Sequence, residues 1–259
     1  MTVCENMGEY SLLALLIFSK RLNDQSPKRP NMKFVWKLIR NIVVLFFSLT
    51  ILWVVALRFV PVYFTPLMFI RCFEQSGEGR DVVLKHDWIG ISEMPYYAPT
   101  AVMAAEDNNF VKHHGFDWKA IEQAVKENKD GRRLRGGSTI SQQTAKNVFL
   151  WPGRSWLRKG LETYFTFLIE LMWPKERIVE VYLNSIEMGD GIYGIAAAAD
   201  VYWGVDASDM TRMQCAQLAV ILPNPREWSA TKPTPYLRKR ANKIFTCMKF
   251  LENNGYALY

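Results

Sequence analysis

The chain has 259 residues, 49% of them apolar, and carries a formal net charge of +7. Once a membrane segment is set aside, roughly 160 to 190 residues remain, enough for one domain with a real core and at most a small lobe. Cys4, Cys72, Cys215 and Cys247 lack CxxC or Cys/His spacing, which argues against a metal site and a disulfide framework. The basic balance calls for an anionic partner: nucleic acid, a membrane surface or a phosphorylated substrate.

In chain order, residues 1–31 carry no motif, and their apolar stretch from Tyr10 to Phe18 is too short to span a bilayer. Met32-Lys33-Phe34 reads as a natural start. The preceding piece is either a disordered cytoplasmic tail or a mis-assigned translation start. No charged residue interrupts Ile42 to Leu57, and the apolar run resumes past Arg58 through Phe64. That meets the ~20 residues a transmembrane helix needs. Lys28, Arg29, Lys33, Lys37 and Arg40 crowd its N-terminal side, which predicts a cytoplasmic N-terminus. The length of the run and the missing small-x-small site favour an uncleaved anchor over a cleaved signal peptide. This topology disfavours nucleic acid as the partner.

Residues 67–96 mix apolar and charged positions around Gly77, Gly79 and Gly90, and read as a connector packed on the main domain. From Pro99 the pattern is helical. Asp117–Asn128 is amphipathic, with Trp118, Ile121 and Val125 on one face, and Thr139–Phe149 starts a second helix. Trp156–Met172 is stopped by Pro174; Lys175–Leu183 follows with Ile178, Val181 and Tyr182 inward. After the turn Gly189-Asp190-Gly191 come Gly194–Tyr202, Met213–Leu222 and Tyr236–Asn253. Strand signals are nearly absent, so the fold class is mainly α.

The unusual chemistry lies between Glu106 and Asn147. Glu106 and Asp107 end an apolar run, Ala101 to Ala105, so at least one carboxylate should sit at the edge of the core. In partly apolar surroundings such a group becomes a usable general base or acid; a solvated helix end is the plain alternative. Gly136-Gly137-Ser138-Thr139 resembles a loop that offers backbone N–H groups to an anion before a helix, although it is not a Walker motif. Lys146 and Arg154, with Arg132, Arg133 and Arg135, supply cations that together favour a phosphate or diphosphate. Glu162 is a second candidate carboxylate, one turn from Arg158 and free to pair with it; Glu170 is a weaker one. His113 and His114 suit structural hydrogen bonds better than metal. The stretch Phe149 to Leu157 is apolar, aromatic and basic, which fits either core packing or a membrane-interface surface.

These residues also fall into ordered motifs. Glu106-Asp-x-x-Phe110-x-x-His113-x-Gly115 is the first, and Gly136-Gly-Ser-Thr-Ile-x-Gln-Gln143 with Lys146-Asn147 the second. Arg158-Lys159-x-x-Glu162, Lys175-x-x-Ile178-x-x-x-Tyr182-Leu183-Asn184 and Gly191-x-x-Gly194 to Gly204 follow. Over about residues 66–250 the chain resembles the peptidoglycan glycosyltransferases, glycosyltransferase family 51, in their monofunctional form. No transpeptidase segment or suitable Ser-x-x-Lys site is expected. Trp203 stands where the family usually has Phe, a change of packing rather than chemistry.

The resemblance implies a lysozyme-like, mainly α domain with a small membrane-proximal lobe behind one transmembrane helix. It divides the chain into a cytoplasmic tail (1–41), an anchor (42–65), a connector (66–95) and the glycosyltransferase domain (96–259). The implied activity is polymerisation of lipid II into glycan strands at the bacterial inner membrane, with a periplasmic catalytic domain and sensitivity to moenomycin. Glu106 matches the general base, Glu162 the second glutamate, and Lys146 and Arg154 the diphosphate ligands. Ser138, Thr139, Gln142, Gln143, Asn147, Arg158 and Lys159 would orient sugar and phosphate. Mg²⁺ or Mn²⁺ would ride on the diphosphate, near Glu106, without a protein cage. Implied partners are lipid II, the nascent strand, membrane lipids, and penicillin-binding and division proteins, with no nucleic acid. A lytic transglycosylase or muramidase shares the fold but has no need of the Lys146/Arg154 cations. A membrane-anchored glycan-binding scaffold is the non-enzymatic alternative.

Overall fold

The computed structural model describes residues 32–129, 137–153 and 155–255. The expectations placed on residues 1–31, on the basic segment with Gly136, and on Arg154 lie outside the described residues. The chain divides into two compact units between Thr50 and Ile51. Most of helix α1, Met32–Leu57, makes up the described part of the first. It is long and apolar enough to cross a membrane, and its large apolar side chains are exposed. The apolar helix has other bounds than the stretch expected as the anchor, 42–65. The helix starts at Met32 and stops at Leu57, and Arg58 to Thr65 is not helical. Pro61 lacks the N–H that a continuing helix needs and disfavours helical geometry at Val60.

The second unit begins with the last turns of α1, which behave as core: Val54 is fully buried. Its carbonyl accepts from Trp173 Nε1 at 2.8 Å. Arg177 donates to the carbonyls of Leu57 and Val60 at 2.8 and 2.6 Å. A cation at a helix C-terminus satisfies carbonyls that have no partner further along the helix and complements the helix dipole.

The connector is more ordered than its composition indicates. It holds α2, Pro66–Gly77, started by Thr65 as N-cap with proline in the first turn, then β1, Lys85–His86, and a 3₁₀ turn at Ile91–Glu93. Next come α3, Ala98–Glu106; α4, Trp118–Lys129; α5, Ile140–Phe149; α6, Trp156–Met172; and α7, Lys175–Ser185. The chain continues with β2, Glu187–Gly189; β3, Ile192–Tyr193; α8, Ile195–Trp203; α9, Arg212–Ile221; and α10, Pro235–Asn253. The mainly α expectation holds. The small sheet, ordered β1-β3-β2, was not expected: β1 runs parallel to β3, and β2 runs antiparallel to it with an irregularity at Met188.

α5 packs against α6 and α7, and α9 and α10 against α3, around buried Ile140, Ile169, Ile178, Tyr182, Ile221 and Met248. Phe149 stacks on Phe165 with centroids 4.5 Å apart. The stretch read as either core or membrane surface divides: Phe149 and Leu150 are buried, whereas Trp156 and Leu157 are exposed. Trp118 is also exposed and stacks on Phe116. Asn184 joins the connector to α7: its side-chain amide exchanges two hydrogen bonds with the Ile89 backbone, at 3.1 and 3.0 Å.

Gly191, in the β2–β3 turn, has φ +72°, and a Cβ there would lie 2.2 Å from the Val83 carbonyl oxygen. Gly191→Ala is therefore expected to destabilise by more than the ~1–2 kcal/mol of left-handed strain alone. A lower urea midpoint with unchanged slope would record it.

Candidate active site

Glu106 is the last residue of α3, and the next position turns away from helical geometry, with Asp107 at φ −156°, ψ 78°. That break sends the two carboxylates to different places. Asp107 is buried; His113 Nε2 lies 2.9 Å from both its oxygens, and Ile140 N donates to Oδ2 at 3.1 Å. It therefore fastens the end of α3 to the start of α5. Glu106 stays half-exposed, its Oε2 accepting from Gln143 Nε2 at 2.9 Å. Gln143 Oε1 in turn accepts from Tyr182 Oη at 3.2 Å. Burial, reinforced by Glu106 and Asp107, pushes the Tyr182 phenol well above its ordinary pKa, so it remains the donor in this chain.

The start of α5 explains several of the hydroxyls and amides. Thr139 and Gln142 form a reciprocal capping box, and Thr139 Oγ1 donates to the Gly115 carbonyl at 2.6 Å. Both are buried. In the structure they build the helix start. Ser141 is likewise engaged with Glu170, which also pairs with Lys175, so Glu170 is structural. Ser138 is exposed.

One turn of α5 onward, Lys146 and Asn147 line a cleft of about 310 Å³ together with Gln143, Arg158, Arg71 and Glu187. Lys146 makes no ion pair within 4 Å among the described residues. Burial pulls its ammonium below the ordinary lysine pKa; Glu162 and Glu106 oppose the shift, and Arg158 and Lys159 reinforce it. Glu162 is buried on α6 between Lys159, which pairs closely with it, and Arg158 at 3.9 Å. Arg158 Nε has no hydrogen-bond partner. The geometry thus joins a half-exposed carboxylate to a cationic cleft. That combination can take a proton at one end and receive an anion at the other.

A family model described as Transglycosylase matches residues 76–249. The chain belongs to the transglycosylase family. A biosynthetic peptidoglycan transglycosylase of Bacteroides thetaiotaomicron is 52% identical over 219 residues, covering 85% of this chain and 88% of that protein. Its counterpart in Caulobacter vibrioides is 48% identical over 87% of this chain and 97% of its own. For that of Pseudomonas aeruginosa the values are 48%, 82% and 92%.

In this transglycosylase Gln143, Lys146, Asn147 and Arg158 line one cleft, with Glu106 bonded to Gln143, and Glu162 paired with Lys159 and near Arg158. Thr139 and Gln142 do not line that cleft and cap α5. Sequence reasoning missed the hydroxyl of Tyr182, which periodicity assigns only to the core, and the clamp made by Asp107. Arg71 and Glu187, at another wall of the cleft, fall in no motif. Among the described residues no group of three or more His, Cys, Asp or Glu side chains could hold a metal ion. Cys72, Cys215 and Cys247 are free thiols.

Asp107→Ala leaves the Ile140 N–H and His113 without their acceptor. The expected loss is about 2–4 kcal/mol, read as a lower thermal midpoint, since unpaired buried groups keep their full desolvation cost.

Proposed function

We propose that this transglycosylase polymerises peptidoglycan glycan strands from lipid II, as a single-pass membrane enzyme with its N-terminus in the cytoplasm. The observation that carries the reading is the pairing of Glu106, held by Gln143, which Tyr182 in turn holds, with the cationic cleft of Lys146 and Arg158. The curated relatives, named for biosynthetic transfer on peptidoglycan, supply the substrate class.

Glu106 takes the proton from the 4-hydroxyl of the acceptor N-acetylglucosamine. That oxygen forms the new bond to the anomeric carbon of the donor N-acetylmuramic acid, and the bond to undecaprenyl diphosphate breaks with its electron pair. One displacement inverts α to β, so no covalent glycosyl-enzyme forms. Diphosphate is already a good leaving group and needs charge neutralisation more than a proton, which Lys146 and Arg158 provide, with Arg154 assigned the same role from sequence. Glu162 holds Lys159 and Arg158 in place.

A divalent cation, Mg²⁺ or Mn²⁺, fits this donor set only as a companion of the substrate. Glu106 offers one carboxylate, and Mg²⁺ characteristically combines one or two carboxylates with substrate phosphates. When bound it adds charge neutralisation at the diphosphate.

The test is gel-resolved polymerisation of labelled lipid II by the full chain in detergent with Mg²⁺. A glycan ladder abolished by moenomycin is the expected result; a folded protein that yields no product overturns the reading.

A further inference from the structure

The cleft has a second polar wall that the transfer chemistry does not use. Arg71 on α2 and Glu187 on β2 both line it. Glu187 is only 7% exposed. Its Oε2 stands 3.7 Å from Arg71 Nε, and its Oε1 has no hydrogen-bond partner. Arg71 Nε also lacks a hydrogen bond, as does the buried hydroxyl of Tyr193, the residue that pairs with Glu187 across β2 and β3. Arg71 Nη1 is held by Glu74. Buried polar groups are ordinarily paired, so Glu187 Oε1 and Arg71 Nε, on two side chains that line the cleft, call for an occupant.

The charge balance identifies its chemistry. Burial pushes the Glu187 carboxyl above its ordinary pKa; Arg71, Arg226 and the Gly191 backbone N–H oppose that shift, and Asp190 adds to it. This wall is close to neutral, unlike the cationic wall of Lys146 and Arg158. It offers one acceptor, Glu187 Oε1, beside the Nε donor of Arg71. An amide, with one N–H and one C=O, matches that set; a phosphate meets the carboxylate and does not. The terminal torsion of a glutamate is broad, so Oε1 can turn toward the cleft without backbone movement.

We propose that Glu187 is a specificity-determining residue, whose open oxygen accepts a hydrogen bond from an amide N–H on the sugar–peptide portion of the substrate. This rests on the lipid II reading above. The amide has two sources, the sugar acetamido groups and the stem peptide, and the test separates them.

Binding is measured in the Glu106→Gln background, with and without Glu187→Gln, which keeps the side-chain volume. Three labelled ligands are compared: the lipid-linked disaccharide-peptide, the same without its peptide, and the same with hydroxyls in place of acetamido groups. Glu187→Gln is expected to weaken binding about ten-fold, the scale of a hydrogen bond to a charged group. The weakening should vanish for the ligand that lacks the amide being read. Glu187→Asp, which keeps the charge but shortens the reach, should show the same pattern. Equal weakening on all three ligands, or none, overturns the proposal, and so does failure of every ligand to bind. Intact binding without polymerisation by the unsubstituted chain overturns the polymerase reading alone.

Discussion

Glu106→Gln is expected to lower polymerisation by about 10²–10⁴-fold, the range for loss of a general base. The substitution is nearly isosteric and leaves a carbonyl oxygen to accept the Gln143 N–H, so the geometry around α3 survives. Basicity alone is removed. The fall should therefore lie in kcat, with KM little changed and thermal unfolding as in the unsubstituted protein. Equal product from the two proteins would remove Glu106 from the chemistry. A large rise in KM with unchanged kcat would instead make it a binding group.

Lys146→Met is expected to cost about 10²–10³-fold in turnover, the scale for losing one preorganised electrostatic contact. Its effect on stability has the opposite sign. Burial lowers the folded-state pKa of Lys146 below the ordinary lysine value of about 10.5. Between those two values the unfolded chain binds more protons than the folded one, so stability rises with pH across that window. At neutral pH the buried charge is a cost, and Lys146→Met should match or exceed the parent in urea midpoint while losing activity. The same shift sets the alkaline limb of the rate profile. Activity that needs the ammonium falls as pH climbs through the lowered pKa, and Lys146→Arg should move that limb upward. An unmoved limb would place the titrating group elsewhere.

Much of the helical frame is legible because its boundaries carry local chemistry. Thr139 with Gln142, Ser155, Thr211 with Gln214, and Thr234 before Pro235 all act as N-caps, and Pro174 separates α6 from α7. Thr65-Pro66 carries the same signal for α2, yet its twelve residues mix polar and apolar positions enough to read as connector. The strands are hidden for a different reason: two or three residues cannot establish an alternating pattern, and Lys85–His86 is held by its partners, not by its composition. Glu106 and Lys146 stand out as charges where apolar neighbours make charge costly. Tyr182 does not, because a phenol satisfies core periodicity with its ring and hides a polar tip. That Gln143 meets Glu106 is equally invisible in sequence, since it depends on a contact between distant segments.

The end of α1 carries a practical consequence for anyone wishing to study the domain free of lipid. A truncated chain starting at Pro66, where composition places the end of the anchor, leaves the Trp173 indole N–H and the Arg177 guanidinium without their carbonyls. It also uncovers the surface that Val54 and Val62 occupy. Such a protein should precipitate or melt early, whereas one starting at Ile51 keeps the seal intact.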